Sequence, residues 1–544
     1  MKISLAQINT IAGDVKGNLK KVIFYLGKAE KQGSDLAIFP ESCLTGYPSY
    51  DLWLNKELIK ENLKALKTIA KKTTHIACLI GYIDFNKTSV GKPLLNSAAL
   101  IYKGKIFASR IKTLLPTYDV FDEHRYFQPS QENKVINFKG TRIGITICED
   151  IWSEHLTSPH KLYTKNPVED LFLQKPDLIF NLSASPYNLN KPNFRYKLVK
   201  TLAKKYAMGF IYCNSVGGND ELIFDGNSMV FDKYGNLIAK AKSFEEDLIT
   251  VDISAENKPV KWEKDKPAKE LSDALTLGVK DFLHKSGFET AVLGLSGGID
   301  SAVTATILAK SLGSKNITAV FMPSQYTSKI STVDAQKLAK NLGIKLYVLP
   351  ITGLMENYSA LLKPIFKNKS PGVAKENLQA RIRANLLMAL SNKFGQMLIA
   401  TGNKSELATG YSTLYGDMCG GVAVLSDLTK NQIYSLANYF NEKKEIIPKR
   451  TITRPPSAEL KHNQKDQDSL PPYDVLDEII KLYIEQSKPV SEIIKKGFSK
   501  KVVLETVKRI DKAEFKRRQS PPVLKVSPKA FGTGRRIPLS CKYY

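Results

Sequence analysis

The chain of 544 residues contains only six cysteines, which are scattered and form no CxxC pair. This pattern argues against a disulfide framework or a zinc site and indicates a reducing compartment. No apolar stretch is long enough to span a bilayer, and the first residues, MKISLAQINT, lack the apolar core of a signal peptide. We therefore expect a cytoplasmic protein with no membrane partner.

Acidic residues are scarce relative to basic ones, which gives a formal net charge of +27, most of it in the second half of the chain. Such a surface attracts polyanionic nucleotides, and it attracts nucleic acid equally well. Because a lysine-rich composition explains much of the same number, charge alone does not decide between these ligands. The length predicts at least two large domains, and 43% hydrophobic residues place them in the globular class.

The first half alternates apolar strands with longer amphipathic stretches, as in an α/β fold. Strands are predicted at residues 2–8, 36–39, 76–82, 97–102, 141–147, 178–182 and 209–214. A charged segment with two prolines, SAENKPVKWEKDKPAKE, follows this half and is typical of a linker. We therefore predict one domain over residues 1–255, a linker over 256–270 and a second domain over 271–544.

The second half alternates strands and helices, which predicts a parallel sheet covered on both faces. Strands are predicted at residues 291–295, 317–321, 345–349 and 396–401, and helices at 302–312, 333–342 and 374–391. Ligands in such sheets bind beyond the carboxyl ends of the strands. We therefore expect the site of this domain at that edge.

The segment GLSGGIDS lies at that edge, between a predicted strand and a predicted helix. Its glycines allow a sharp bend and a close approach to a ligand, and the free amides of the helix start face an anion. Asp300 is placed to hold a cation beside phosphates. The spacing lacks the lysine of a Walker A loop and resembles the pyrophosphatase loop of the ATP-pyrophosphatases. The predicted ATP-binding residues here are Gly294, Leu295, Ser296, Gly297, Gly298, Ile299, Asp300 and Ser301.

Three polar residues follow apolar strands in the first half: Glu41 after LAIFP, Lys112 in SRIKTLLP and Cys148 in RIGITICEDIW. A cysteine is a strong nucleophile only as a thiolate, which a nearby base and cation favour. Glu41 can serve as the base, and Lys112 can stabilise the thiolate or an oxyanion. Taken singly, each residue has a plain structural interpretation, as a buried thiol or a solvated charge. The histidines occupy no comparable positions, so a Cys–His scheme is less favoured.

The sequence around these residues resembles the nitrilase (carbon–nitrogen hydrolase) family. The resemblance lies in FPESCLTGYP, in RIKTLLPTYDVFDEHRYF, and in ICEDIW followed by NLSASPY. It covers most of residues 1–255 and keeps the order Glu, Lys, Cys. It implies an αββα sandwich that cleaves a C–N bond through a cysteine thioester, with Glu41, Lys112 and Cys148 as the catalytic residues.

The glutaminase members of that family imply further roles. Tyr118, Ser185 and Lys191 would line the glutamine pocket, although arginine often occupies the region of Lys191, and a lysine cannot grip a carboxylate bidentately. Glu123 would assist the base, as a second glutamate does in nitrilases. Glu149 would either hold the amino group of the substrate or only orient the turn, and both interpretations stay open.

The second half resembles the glutamine-dependent NAD synthetases in segment order across nearly all of residues 271–544. The matching segments are FMPSQYTS, ENLQARIRANLLM, ATGNKSELATGYSTLYGD, DLTKNQIYSLA, RPPSAEL, DSLPPYDVLD and FKRRQSPP. This resemblance implies a Rossmann-like ATP-pyrophosphatase domain with Mg²⁺ as its cofactor, and it assigns Mg²⁺ to Asp300 and Glu406, whose hard carboxylates suit that ion. It also assigns ATP contacts to Thr401 and Lys430.

Contacts to the deamido dinucleotide fall, by the same resemblance, on Asn377, Glu406 and Lys516. By composition alone, Lys430 would be a solvated helix lysine. Arg381 and Arg383 would contact phosphates or form surface salt bridges. The run QKDQDSLPPY stands where related sequences carry an acidic segment that closes over the site.

Together the resemblances imply an amidotransferase with two sites. The first hydrolyses L-glutamine. At the second, the nicotinate carboxylate of deamido-NAD attacks the α-phosphate of ATP, and ammonia displaces AMP to give NAD. Pairing of synthetase domains into a homo-oligomer is implied as well. An RNA-modifying pyrophosphatase is the alternative suggested by the loop and the charge, but the paired cysteines typical of RNA-thiolating enzymes are missing. A non-catalytic binding protein on the same folds is the third hypothesis.

Overall fold

The computed structural model describes residues 1–153, 162–367, 369–370, 372–462 and 464–541. The chain divides into two compact units, Met1–Asp265 and Lys266–Tyr544. Pro267 begins the first helix of the second unit, so residues 267–270 of the predicted linker are helical. Proline suits a first helical position because its fixed φ is already helical. Among the described residues, no helix combines the length and the apolar character that a membrane crossing needs.

The first unit contains strands and helices in an alternating order. Its strands are β1 (Lys2–Gln7), β2 (Leu36–Ile38), β3 (Ala77–Phe85), β4 (Leu94–Tyr102), β5 (Lys105–Ile111), β6 (Ile136–Phe138), β7 (Thr141–Ile147), β8 (Leu178–Ser183), β9 (Gly209–Asn214), β10 (Val216–Asn219), β11 (Leu222–Asp225), β12 (Met229–Phe231), β13 (Leu237–Lys240) and β14 (Asp247–Asp252). Its helices are α1 (Val15–Lys31), α2 (Lys56–Ala70), α3 (Pro167–Phe172) and α4 (Lys191–Tyr206).

Two sheets of this unit pack face to face. In the described residues their strand orders are β14-β1-β2-β3-β4-β5 and β13-β12-β9-β8-β7-β6. Apolar side chains of both sheets meet in one core, for example Leu5 and Leu79 with Ile145 and Leu182. Helices α1 and α2 cover the outer face of the first sheet, and α3 and α4 cover that of the second. The unit is therefore an αββα sandwich, as the resemblance implies.

The second unit is built on strands β15 (Ala291–Gly294), β16 (Ile317–Phe321), β17 (Lys345–Val348), β18 (Met397–Ala400) and β19 (Val422–Ala423). Its helices are α5 (Pro267–Lys285), α6 (Ile299–Leu312), α7 (Lys329–Leu342), α8 (Thr352–Phe366), α9 (Val373–Phe394), α10 (Lys404–Thr409), α11 (Lys430–Phe440), α12 (Lys449–Thr453), α13 (Tyr473–Ile480), α14 (Val490–Lys495), α15 (Lys500–Lys512) and α16 (Glu514–Arg517).

The five strands form a wholly parallel sheet in the order β17-β16-β15-β18-β19. The chain runs outward from β15 to β17 on one side and then returns to β18 on the other. The carboxyl end of β15 therefore lies at the switch point where sheets of this kind bind ligands. This is the predicted Rossmann-like arrangement.

The predicted strands and helices are all present, with ends displaced by at most four residues. One displacement bears on the site. Helix α6 begins at Ile299 rather than Ala302, so the last three residues of GLSGGIDS form its first turn. The amides of that turn have no intrahelical acceptor, because the first four N–H groups of any helix lack one.

Candidate active sites

Cys148 directly follows β7 and begins a short 3-10 turn, Cys148–Ile151. Its φ is +43°, a left-handed value that is rare for a residue with a side chain. Such backbone conformations persist only where the surroundings hold them, and they concentrate at functional sites. The side chain is 5% exposed and packs at the edge of the core between the sheets.

The structure brings Glu41 and Lys112 together, as the sequence predicts. The Lys112 ammonium lies 2.7 Å from Glu41 Oε1, and both side chains are fully buried. It also lies 2.7 Å from Glu123 Oε1, which in turn accepts a hydrogen bond from the Tyr47 hydroxyl at 2.8 Å. Glu41 Oε1 accepts a further bond from Asn96 Nδ2 at 2.8 Å. The cation is thus held between two carboxylates whose positions are themselves fixed.

Burial and these charges set the protonation of the site. Burial raises the pKa of the Cys148 thiol well above its ordinary value, the charge of Glu41 raises it further, and Lys112 opposes both. Burial would lower the pKa of Lys112, but Glu123 and Glu41 hold it well above the ordinary value. Burial also raises the pKa of Glu123 to about 7, against the effect of Lys112. The resting site is therefore a neutral thiol beside a permanent cation, and the thiol needs a base to become a nucleophile.

Glu149, the residue after Cys148, accepts hydrogen bonds from two phenols. Tyr118 and Tyr163 each donate to its Oε1 at 2.9 Å. Burial raises the pKa of the Glu149 carboxyl, while the charges of Lys112 and Lys191 lower it. These contacts place Tyr118 and Lys191 in the environment of Cys148. Nothing in the sequence singled out Tyr163, whose role depends on a contact across the fold.

Ser185 lies in the segment between β8 and α4, and Lys191 lies at its far end, where α4 begins. The Ser185 N–H donates to Asn214 Oδ1 at 2.9 Å, and its carbonyl accepts from Arg195 at 3.3 Å. Arg195 is fully buried and forms an ion pair with Asp225, a pairing that the sequence did not reveal. Lys191 is the first residue of α4, and its ammonium lies 5.7 Å from the centre of the Trp152 ring.

The segment GLSGGIDS of the second unit, Gly294–Ser301, is called the phosphate loop below, and it has the bend that its glycines predict. Gly297 has a φ of +79°, and a Cβ at this position would lie 2.4 Å from the carbonyl oxygen of Ser331. The hydroxyls of Ser296 and Ser301 lie 3.0 Å apart, and the Gly298 N–H donates to Ser296 Oγ at 3.2 Å. Only glycine therefore fits at position 297, and the two serines hold the loop against the start of α6.

The loop borders a cavity of about 340 Å³. Most of the residues predicted to bind ATP line it, namely Gly294, Leu295, Ser296, Gly298, Ile299, Asp300, Ser301, Thr401 and Lys430, together with Glu406. Within the described part of the chain, Gly297, Asn377 and Lys516 are not among the lining residues. Asn377 Oδ1 instead accepts a hydrogen bond from Thr413, a lining residue, at 2.9 Å.

Lys516 likewise contacts a segment beside the cavity and not the cavity itself. Its ammonium donates to the carbonyls of Gly410 at 2.8 Å and Ser412 at 2.7 Å. These carbonyls flank Tyr411, which lines the cavity. Burial lowers the pKa of Lys516. The structure thus places this lysine behind the loop 410–413.

A group of opposite charges stands beside the loop. The Lys430 ammonium is 2.5 Å from Asp300 Oδ2 and 3.7 Å from Glu406 Oε1, and its side chain is 1% exposed. Lys430 is therefore not the solvated helix lysine that composition alone suggests. Burial would lower its pKa, but Asp300 and Glu406 hold it above the ordinary value. Burial and the charge of Asp300 raise the pKa of Glu406 to about 8.

Further charged residues line the cavity, among them Arg383, Arg454 and Asp466. Arg383 donates from Nε to the carbonyl of Met322 at 3.1 Å, and Arg454 donates to the carbonyl of Gly297 at 2.6 Å. Asp466 accepts from the Tyr473 hydroxyl through Oδ2, while its buried Oδ1 has no partner. The sequence left two interpretations open for Arg383, and it indicated the segment around Asp466 but not this residue.

The carboxylates of Asp300 and Glu406, with the unpartnered oxygen of Asp466, are hard donors of the kind that Mg²⁺ prefers. Among the described residues, no group of three or more His, Cys, Asp or Glu side chains could hold a metal ion. This arrangement fits Mg²⁺ bound through one or two carboxylates, with substrate phosphates completing its coordination.

The folds of the two units define a class of protein: a carbon–nitrogen hydrolase joined to a synthetase. Residues 2–257 match the carbon-nitrogen hydrolase family and residues 271–520 match NAD synthase. The chain is 43% identical to a glutamine-dependent NAD(+) synthetase of Thermotoga maritima, covering 100% of this chain and 99% of the relative. It is 45% identical to that of Synechocystis, with the same coverage. The chain belongs to the glutamine-dependent NAD(+) synthetase family.

Solved structures agree with this membership. The glutamine-dependent NAD+ synthetase of Acinetobacter baumannii, solved in complex with ADP, is 39% identical and superposes with a TM-score of 0.79. The comparison covers 99% of this chain and 98% of that one. The synthetase of Cytophaga hutchinsonii, 22% identical with a TM-score of 0.84, shows the same fold. The fold class and the family expected from the sequence are therefore confirmed.

Proposed function

We propose that this chain makes NAD by ATP-dependent amidation of deamido-NAD with ammonia taken from L-glutamine. The products are NAD, AMP, pyrophosphate and glutamate. The observation that carries the proposal is that one chain of this family holds both a buried Cys148–Lys112–Glu41 site and a phosphate loop bordering a charged cavity.

At the first site, Cys148 attacks the side-chain amide carbon of glutamine while its thiol proton passes to Glu41. The charge of Lys112 stabilises the oxyanion that forms. Ammonia leaves with a proton returned by Glu41, and water then hydrolyses the thioester to glutamate. In this scheme Glu149 accepts the substrate's ammonium group, and Lys191 attracts its carboxylate.

Tyr118 and Ser185 complete the glutamine pocket in this proposal. Tyr118 already donates to Glu149, so it orients the carboxylate that receives the amino group. Lys191 offers a single point charge where an arginine would make a bidentate pair. We therefore expect the glutamine carboxylate to be held by charge attraction more than by fixed geometry.

At the second site, the loop amides and the hydroxyls of Ser296 and Ser301 hold the ATP phosphates, and Thr401 lies beside them. The nicotinate carboxylate attacks the α-phosphate, the α–β phosphate bond breaks, and pyrophosphate leaves with its charge neutralised by Lys430. Ammonia then displaces AMP to form the amide. Adenylation is required because a carboxylate is too poor an electrophile for direct attack.

Asp300 and Glu406 would hold Mg²⁺, which shields phosphate charge when it is bound. Glu406 also faces the dinucleotide in this proposal. Asn377 and Lys516 act through the loop 410–413, because they contact Thr413 and the carbonyls of Gly410 and Ser412. All six cysteines are free thiols, which supports the proposed cytoplasmic location.

We also propose that the synthetase unit forms a homo-oligomer through helix α8. This 15-residue helix buries only Met355 among its described residues. Leu361 and Ile365 are 74% and 72% exposed, and Tyr358 on the same helix is 42% exposed. An exposed apolar row of this kind commonly marks a protein interface.

The test supplies deamido-NAD, ATP and Mg²⁺ with either glutamine or ammonia and measures NAD, AMP and glutamate. Cys148→Ala is expected to abolish glutamine-dependent synthesis and to leave ammonia-dependent synthesis unchanged. Cys78→Ala, which removes a buried thiol from the outer face of the first sheet, serves as the control. Glutaminase activity in Cys148→Ala, or release of ADP in place of AMP, would contradict the proposal.

A further inference from the structure

A buried carboxylate that the reaction scheme does not use lies two residues after the nucleophile. The Asp150 side chain is 2% exposed. Its Oδ1 accepts from the N–H groups of Thr113 at 3.0 Å and Leu114 at 2.8 Å. Its Oδ2 accepts from the N–H of Ile147 at 2.9 Å. One carboxylate therefore joins the peptide groups just before Cys148 and just after Lys112.

The two segments that Asp150 joins come from different sheets. Lys112 follows β5, an edge strand of one sheet, and Cys148 follows β7 in the other. The two sheets are held to each other mainly by side-chain packing. A few hydrogen bonds, such as that of the Ala184 N–H to Glu41 Oε2 at 3.0 Å, also link them and fix their relative position more sharply. The left-handed φ of Cys148 also needs support from neighbouring groups.

Asp150 can provide that support because it stays ionised at neutral pH. Burial raises its pKa to about 6, while the N–H groups of Ile147 and Leu114 and the charge of Lys112 act in the opposite direction. A carboxylate has acceptors on both oxygens and no hydrogen to donate. Three converging N–H donors suit it better than any neutral side chain of its size.

We propose that Asp150 is a positioning residue for glutamine hydrolysis, holding the turn of Cys148 against the segment of Lys112. The proposal rests on Cys148 being the nucleophile. Asp150 connects the segment that carries Cys148 to the segment that carries Lys112. The three hydrogen bonds of Asp150 are all to backbone N–H groups, and none is to Glu149 or Lys191, the residues proposed to bind glutamine. Loss of the connection should therefore lower the rate of attack by the thiol more than it weakens glutamine binding.

Asp150→Asn separates this role from simple space filling. The amide has nearly the same volume, but it offers one acceptor oxygen and turns an N–H₂ group toward a backbone N–H. At least one of the three bonds is lost. Asp150→Glu keeps both acceptor oxygens one methylene further out, so it should restore part of what the amide removes.

The experiment uses the full chain and measures glutaminase kcat and KM, and the rate at which iodoacetamide alkylates Cys148 between pH 6 and pH 9. For Asp150→Asn we expect kcat to fall about 100-fold, KM to change little, and alkylation to slow with a displaced pH profile. Asp150→Glu should lie between this variant and the wild type. Ammonia-dependent NAD synthesis should stay at the wild-type level, because that chemistry belongs to the second unit.

Asp177→Asn is the matched control. Asp177 is exposed and accepts the N–H of Arg142 at 2.7 Å, at the opposite end of the same strand β7. It should leave kcat and alkylation unchanged. The three tryptophans, Trp53, Trp152 and Trp262, all lie in the first unit, so their fluorescence reports whether that unit is folded.

Wild-type kcat in Asp150→Asn, or wild-type alkylation of Cys148 despite a lower kcat, would overturn the proposal. If Asp150→Asn does not fold, Asp150→Ser, which keeps one acceptor oxygen, takes its place: a wild-type kcat overturns the positioning role, and a lower kcat with slower alkylation supports it. Failure of the proposed function is seen separately, as glutaminase activity that survives Cys148→Ala in an otherwise wild-type chain.

Discussion

Two buried lysines, Lys112 and Lys430, stand at the centres of the two sites. Each is kept charged by a pair of carboxylates: Glu41 and Glu123 in the first unit, and Asp300 and Glu406 in the second. Burying an ammonium group is costly unless it is paired, and removal of one partner leaves the others uncompensated. In the proposed reactions each lysine is already free of water when an anion forms beside it, so its charge stabilises that anion without a further cost of desolvation.

Lys430→Met should abolish most NAD synthesis with either nitrogen source, because Asp300 and Glu406 would face each other without their cation. We expect the synthetase rate to fall about 100-fold or more and glutaminase activity to persist. Lys449→Met is the matched control, since Lys449 is likewise the first residue of a helix but is exposed. Steady-state assays of AMP and glutamate release measure both effects. Equal losses in the two variants would refute the role of Lys430.

The raised pKa of Glu123 predicts how the free energy of unfolding depends on pH. Its pKa is about 7 in the folded unit against an ordinary 4.5, so the folded unit binds this proton more tightly than the unfolded chain. The contribution of this group to the free energy of unfolding therefore falls as the pH rises from about 4.5 to about 7. Glu123→Gln removes that fall, so its stability relative to wild type should increase across the same window.

Urea unfolding followed by tryptophan fluorescence tests this, because all three tryptophans lie in the first unit. Glu57→Gln serves as the control, since Glu57 is an exposed carboxylate whose pKa is lowered by its hydrogen bond to Lys60. A constant difference between Glu123→Gln and wild type from pH 5 to pH 8 would show that Glu123 does not titrate in this range.

The sequence brought forward residues that the structure places together where a chemically active residue type stands at a strand end, while their catalytic and binding roles stay predictions. Glu41 and Lys112 are in contact, and Asp300 lies against Lys430. Tyr163 and Arg195 could not be found in this way. Their importance comes from hydrogen bonds to groups far away in sequence, and no local pattern records such contacts.

Among the elements, the phosphate loop and helix α6 are continuous, because they share residues 299–301. The helix begins inside the motif, so the loop amides and the first helical turn face the same cavity. Two groups outside the loop contact it at Gly297: the Arg454 guanidinium donates a hydrogen bond to the Gly297 carbonyl, and the Ser331 carbonyl packs where a Cβ would stand. The shape of the loop is therefore set by its neighbours as well as by its own glycines.

Gly297→Ala should lower kcat/KM for ATP about 100-fold, because its Cβ would lie 2.4 Å from the Ser331 oxygen and the loop must move. Gly313→Ala at the other end of α6 is the matched control. Gly313 has a φ of +80° but has nothing within 4 Å of a Cβ, so that variant should lose about 1–3 kcal/mol of stability and keep its ATP kinetics. Matching kinetic losses in both variants would show that backbone strain, and not the contact, is responsible.

The six-residue helix α10 carries Glu406 and depends on its neighbours to form. A helix of this length is not stable alone, because nucleation costs more than so few hydrogen bonds return. Asn403 accepts from the Glu406 N–H at its start, and Arg517 donates to the carbonyls of Leu407 and Ala408 at its end. The resemblance to the synthetases includes both the segment that holds α10 and the segment that holds Arg517. That these two segments contact each other is visible only in the tertiary structure.

At the scale of the whole molecule, each unit has its own apolar cores and its own site. The exposed face of α8 belongs to neither site. If the chain pairs through this face, Leu361→Glu should dissociate the oligomer, because a carboxylate would be buried without a partner. Sedimentation velocity measures the change in mass.

Leu504→Glu, at an apolar position on α15 that is 47% exposed, is the matched control and should leave the mass unchanged. Dissociation by Leu504→Glu, or an unchanged mass for Leu361→Glu, would place the interface elsewhere.

The catalytic roles of Glu41, Lys112 and Cys148 stay a prediction. The sequence by itself determined the two units' fold classes, the strands that end at each candidate site and the phosphate loop. These features are encoded locally, in periodicity and in short motifs, so they can be read along the chain. Only the tertiary structure decided which charges are buried together. It placed Glu123 on Lys112, Lys430 between Asp300 and Glu406, and Asp150 between two sheets. Burial and pairing depend on segments distant in sequence coming into contact, and these two quantities set the protonation states from which the chemistry starts.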